Sequence, residues 1–247
     1  MNLETKIQIE QIILSCVHRT IDRISHDKTF RPFHEALLST KLINASAFER
    51  SFSTSFGQGP IEEISSIVAK DNGSIVVRQK ETMVSVYKGS VDQITRILAE
   101  LRDGTRKPNW DNEIKTITAV NKGDTEVRKI LSDLYIKKDN IEYFYSIKTV
   151  KPNLDQTEIA KKDMLLLKAH DPNCFTFFGL FYNPGGPNRS DYNWTMPSKI
   201  FDMKKDACVL IGKDYWNTIG GNGTYEDLLS VFESAGETTQ LLLKSLD

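Results

Sequence analysis

The apolar positions of this 247-residue chain change their spacing several times, and each change marks an element. Over residues 3–24, Ile7, Ile12, Leu14, Val17, Ile21 and Ile24 recur near helical spacing, which predicts an amphipathic helix. A second, short helix is expected over 34–39. Residues 44–59 are rich in small and hydroxyl side chains and read as a flexible turn running up to Pro60. Proline suits a first helical turn because its missing N–H needs no partner there, so 61–69 follows as a helix. Residues 74–90 fit either a strand or a β-branched stretch of helix. A helix over 91–101 closes at Asp103-Gly104, and 113–120 and 125–131 lead up to a hairpin.

That hairpin begins at Asp133, ahead of the apolar strand Leu134, Tyr135, Ile136. Lys137-Lys138-Asp139-Asn140 makes the polar turn, and the return strand over 143–150 stops at Lys151-Pro152-Asn153. Asn153, with Gln156 three residues on, is a capping-box-like start for a helix reaching about Ala169. Residues 174–182 are apolar on both faces, as a strand inside a sheet must be. A Gly/Pro/Asn loop over 183–196, a second buried strand over 207–211, helices over 213–219 and 225–234, and a polar tail complete the chain. This order predicts an α/β fold, a mixed sheet sandwiched by helices. It fits a single domain over 1–247, with a mainly helical region over 1–70 and a chemical core over 120–235.

Composition narrows the setting. The chain is 39% hydrophobic and 26% charged, with a net charge of −1. No apolar run is long enough to span a bilayer, and Met1-Asn2-Leu3-Glu4 lacks the basic start of a signal peptide, so a cytoplasmic protein without membrane partners is expected. Cys16, Cys174 and Cys208 are scattered, which fits buried thiols in a reducing compartment. The four histidines do not pair with them, so a zinc site is not expected. Near-zero net charge disfavours coating nucleic acid through bulk charge, while leaving room for a focused basic site.

The candidate chemistry lies in the hairpin. Fourteen residues separate Asp133 from Lys148, and antiparallel pairing can bring the two to one end of the sheet. Phosphodiester hydrolysis needs carboxylates to hold a hard cation such as Mg²⁺, and a positive side chain to orient the attacking water or offset developing charge. An aspartate, a tight hairpin and a lysine two residues past a small polar residue is how PD-(D/E)xK nucleases deploy those groups. The acid two positions before the lysine is replaced by Ser146. The following helix can supply it, since Asp155 and Glu158, three apart, share a face. Glu158 is the expected metal ligand beside Asp133, Asp155 is the alternative, and Glu62 (or Glu63) adds an acid from the earlier helix.

The segment YFYSIKTVKPNLDQTE resembles the signature of the TdeIII/MjaII-like type II restriction endonucleases of the PD-(D/E)xK superfamily. STSFGQGPIEEIS, FFGLFYNPGGPNRSDYNW and VLIGKDYWNTIGGNGTYEDLL resemble further blocks of that family, in order, over roughly residues 50–230. The resemblance implies a restriction-endonuclease-like core, a mixed central sheet with an antiparallel hairpin flanked by helices, plus an N-terminal helical region. It implies Mg²⁺-dependent cleavage of double-stranded DNA by a homodimer at a short palindrome of the GGNCC kind. A cognate methyltransferase would protect host DNA without binding the enzyme. Asp133 and Lys148 carry over directly. Rival readings are a repair or junction-resolving nuclease and a catalytically inactive DNA-binding relative, the latter motivated by Ser146.

For DNA contacts the loop after the buried strand is expected to contribute Arg189, Asn188 and Asn193, with Lys199 just beyond it and Arg189 reading a guanine. Lys151, and Arg106 and Lys107 beside Trp110, are expected at phosphates, where contacts orient the duplex without specifying sequence. Tyr143, Tyr145, Tyr215 and Trp216 are expected to pack in or near the core.

Overall fold

Five strands lie side by side in chain order in the computed structural model, which describes residues 1–244. They are β1 (Ile75–Tyr87), β2 (Thr125–Lys138), β3 (Ile141–Lys148), β4 (Phe175–Leu180) and β5 (Val209–Ile211). β1–β2 and β2–β3 pair antiparallel, whereas β3–β4 and β4–β5 pair parallel. The segment left open at 74–90 is therefore largely strand: its β-branched residues suit a pleated surface and find a long partner in β2. Asp139 and Asn140 form the two-residue β2–β3 turn with φ of 52° and 64°. A hairpin of that kind needs positive φ at both positions, and Asp and Asn tolerate it. The return to a parallel pair requires a crossover, supplied by α7 (Leu154–His170). Its start is as expected, with the Asn153 side chain accepting from the Gln156 N–H at 2.8 Å.

Successive strand residues alternate between two cores. On one face Tyr135, Phe144, Phe178 and Leu180 pack with residues of α5 (Lys88–Asp103), α6 (Trp110–Thr118) and α7. On the other, Leu134, Ile136, Tyr145 and Ile147 pack with residues of α1 (Leu3–Ser25), α4 (Pro60–Asp71), α8 (Lys213–Gly220) and α9 (Thr224–Leu243). Each such side chain stabilises the fold by about 1.5–3 kcal/mol on burial, so both helical layers are firmly bound to the sheet. Tyr145, Tyr215 and Trp216 are core, as expected.

Two expectations need correction. Residues 44–59 are not a turn but most of α3 (Thr40–Gln58). Phe48, Phe52 and Phe56, four apart, stack along it at 5.8 and 5.2 Å, an aromatic spacing that outweighs the local serines. The final helix also runs on to Leu243, and of the expected polar tail residues 245–247 lie outside the described residues. The short helix α2 spans Pro32–Leu37. The three cysteines are buried and free. Among the described residues no helix is long and apolar enough to cross a membrane.

Candidate active site

β2 pairs with β1 along nearly its whole length but with β3 only from Leu134 onward. Asp133 stands at that fork. Its Oδ2 accepts the Ile147 backbone N–H at 2.7 Å and the Lys148 ammonium at 2.9 Å. The carboxylate thus occupies the place where the next ladder bond would form, and the lysine meets it from the partner strand. Both side chains are about one-fifth exposed, at 20% and 21%. The pairing expected from spacing alone is made.

Glu62 comes from the first turn of α4, just after Gly59-Pro60. Its Oε2 accepts from the Gln79 amide of β1 at 2.7 Å, and the Arg78 guanidinium stands 3.9 Å away. Burial pushes the Glu62 carboxyl pKa up, the Gln79 bond and the Arg78 and Lys148 charges oppose this, and the Asp133 charge adds to it. Glu62, Asp133 and Lys148 therefore share one electrostatic neighbourhood. Glu63 instead faces Arg78 at 3.8 Å and is more exposed.

The α7 acids expected near the pair, Glu158 and Asp155, are engaged by α5 in the structure. Glu158 and Asp155 share the Arg102 guanidinium of α5 at 2.6 and 2.9 Å. Asp163 is the α7 carboxylate in the field of Asp133 and Lys148, its pKa raised to about 6 by burial, with Lys162 and Lys148 opposing and Asp133 adding. Five residues of helix turn the chain by about 140° beyond a full turn, so a helix presenting Asp163 to the pair turns Glu158 away. Sequence reasoning passed over Asp163 because spacing from a cap cannot say which helix face meets the sheet. Gln79 was missed because its segment had no assigned structure.

The loop after β4 lies against the chain just past β3. The Tyr192 hydroxyl donates to the Val150 carbonyl at 3.0 Å and the Trp194 indole to the Pro152 carbonyl at 3.0 Å. Two expected base readers have other work. Arg189 donates to the Met203 and Asp206 carbonyls at 2.8 and 2.6 Å, so its guanidinium fastens the loop rather than projecting from it. Asn188 forms a capping box with Asp191 around a single 3₁₀ turn. Asn193 and Lys199 remain exposed, and the exposed Lys151 sits over the Trp194 ring at 5.7 Å. Of the two cations expected at phosphates there, Arg106 is held by Glu100 at 2.7 Å, whereas Lys107 is exposed beside the buried Trp110.

Among the described residues no three His, Cys, Asp or Glu side chains form a closed cation cage. What converges is two carboxylates and an ammonium. An oxygen-only donor set of this size fits a hard divalent cation, which is commonly held by one or two carboxylates and completed by substrate phosphate and water.

A sequence model of the family described as "HinfI: Type II restriction endonuclease, HinfI" matches residues 1–236. The chain is 28% identical over 221 residues to the type II restriction enzyme HgiCII of Herpetosiphon aurantiacus, covering 86% of this chain and 80% of that protein. HgiBI of the same organism is 26% identical over 234 residues, covering 90% and 84%. MjaII of Methanocaldococcus jannaschii is 28% identical over 269 residues, covering 94% and 70%.

Proposed function

The chain belongs to the HinfI family of type II restriction endonucleases, and from that premise we propose that it cuts both strands of duplex DNA at a short palindrome of the GGNCC kind, as a homodimer using Mg²⁺. One observation carries the reading: the Asp133–Lys148 pair at the β2–β3 fork, with Glu62 in the same electrostatic field. Such a site serves hydrolysis of a phosphate ester, and a two-fold dimer is the simplest reader of a palindrome.

Asp133 and Glu62 would hold the cation, and Asp163 rather than Glu158 would support them, a reading supported by the influence of Asp133 and Lys148 on its carboxyl. A bound divalent cation supplies polarisation of the scissile phosphate and a water acidified for attack. Lys148 is held by Asp133 so that its ammonium can orient the attacking water and offset charge developing on the phosphate. The water oxygen bonds to phosphorus and gives up a proton to solvent, the P–O bond to the leaving oxygen breaks, and that oxygen takes up a proton from solvent. Ser146 supplies no charge at the place of the missing acid, which is why the helix-borne carboxylates matter. Lys151, Asn193 and Lys199, all exposed, would contact the duplex. Arg189 acts on recognition by shaping the loop.

Digestion of plasmid DNA by purified protein, with and without Mg²⁺, tests this reading when the ends are sequenced. Discrete fragments sharing one palindromic end sequence are expected. Smearing or an absence of cutting in both Mg²⁺ and Mn²⁺ would overturn it.

A further inference from the structure

We propose that Gln79 is a positioning residue for this site, holding Glu62 in a cation-ready orientation through a deliberately strained backbone; the inference rests on the reading above. Among the described residues three non-glycine positions have positive φ, and Asp139 and Asn140 belong to a hairpin turn. Gln79, with φ of 50°, instead interrupts a long strand. The ladder between β1 and β2 runs Arg78↔Leu134 and then Lys80↔Ser132, skipping one pair, and that pair is Gln79 and Asp133.

The faces of both strands exchange across this break. Val76 packs in the core beside α4, yet Val84 and Val86, of the same parity, pack in the opposite core. On β2, Leu134 and Ile136 belong to the α4 side, whereas Ile130 belongs to the other. A regular strand keeps one parity per face, so the β1–β2 ribbon turns over at Gln79–Asp133. A left-handed residue is a means of doing so, and glutamine is a poor choice for that conformation on steric grounds alone.

Gln79 is exposed, so its bond to Glu62 adds little to the core. Its chemistry suits a metal carboxylate. A neutral amide donating to Oε2 fixes the carboxylate without neutralising it and leaves Oε1 to face a cation. A lysine in the same place would compete with that cation. Backbone strain of this sort persists where surrounding structure over-determines it, and functional sites are where it concentrates. One residue thereby turns the β1–β2 ribbon at Asp133 and orients the second acid.

The test is a Mn²⁺ titration of the intact protein, followed by loss of the free-ion paramagnetic resonance signal, alongside thermal melting. Parent, Gln79→Gly, Gln79→Ala and Asp133→Ala are compared. Partners of metal ligands typically affect affinity by about 10–100-fold, so Gln79→Gly and Gln79→Ala should both weaken binding by about that factor. Glycine accepts positive φ and should melt no lower than the parent, while alanine should melt lower, which separates the amide's role from the backbone's. If Asp133→Ala weakens Mn²⁺ binding and Gln79→Gly stays within about twofold of parent, the inference falls and the site stands. If Asp133→Ala changes nothing, or the parent takes up no Mn²⁺, the site itself is misassigned and the inference falls with it.

Discussion

Two lysine–carboxylate pairs of this molecule differ in how much solvent reaches them. Lys161 and Glu113 meet at 2.6 Å with side chains 0% and 1% exposed. The ammonium also donates to the Ile200 carbonyl and lies 4.8 Å from the Phe201 ring centre. Lys148 and Asp133 meet at 2.9 Å but keep about one-fifth of each side chain in solvent. The first pair is sealed among aromatics and bridges α6, α7 and the segment around Ile200. The second opens at a strand fork; burial raises the carboxyl pKa of Glu62 and Asp163 near it, as it does that of Glu113 in the sealed pair, so solvent access is what separates the two. Charge pairing therefore does not mark a site by itself. A sealed pair whose removal leaves an unpaired charge is a staple, and a pair with solvent access and competing acids is available for chemistry.

The comparison can be broken most severely at Lys148 or Asp133. Replacing either by alanine should lower the cleavage rate by about 1,000-fold or more, roughly 4 kcal/mol of activation free energy; Lys148→Ala should change melting temperature little, while Asp133→Ala also strands the Ile147 N–H and should lower it modestly. Cleavage near the parent rate by either variant would end the distinction. At the other pair the effect moves to stability. Lys161→Ala should cost about 3–5 kcal/mol in urea unfolding by stranding Glu113, and Lys161→Met with Glu113→Leu should recover much of that loss. Equal destabilisation by the single and double variants would show that the pair is not a staple.

A smaller effect is expected at Asp163. Its folded pKa is about 6 against an ordinary 3.8, so the folded state binds the extra proton between those values. Stability contributed by the protonated acid is then lost as pH rises from about 4 to 6. Asp163→Asn should flatten that fall and, after solvent screening, raise stability at neutral pH by about 1–2 kcal/mol while reducing cleavage. Melting curves across pH 4–7 check the first part. The least effect is expected from Glu158→Ala, which removes one partner of an exposed arginine and should change stability by less than about 1 kcal/mol and cleavage by less than Asp163→Asn does. The reverse order in a cleavage assay would restore Glu158 as the ligand.

Much of this was legible in the chain. The Asp133 and Lys148 positions, the tight turn between them, the Asn153 cap and the apolar β4 follow from local rules: strand alternation, turn chemistry and caps depend on neighbours in sequence. The hydroxyl-rich 44–59 segment misled because serines suggest a turn, while its helix is held by phenylalanines that pay off only when they stack and meet α9 at Phe232. Arg189 misled similarly. A loop arginine looks free until the Met203 and Asp206 carbonyls are folded against it.

The sequence by itself determined which residues could do the chemistry and that a hairpin would join two of them. Only the tertiary structure decided which α7 acid turns toward the pair, that Glu62 arrives from α4, and that Gln79 sits opposite Asp133. Helix rotation and strand twist are set by packing between elements distant in the chain, and no local spacing rule encodes them.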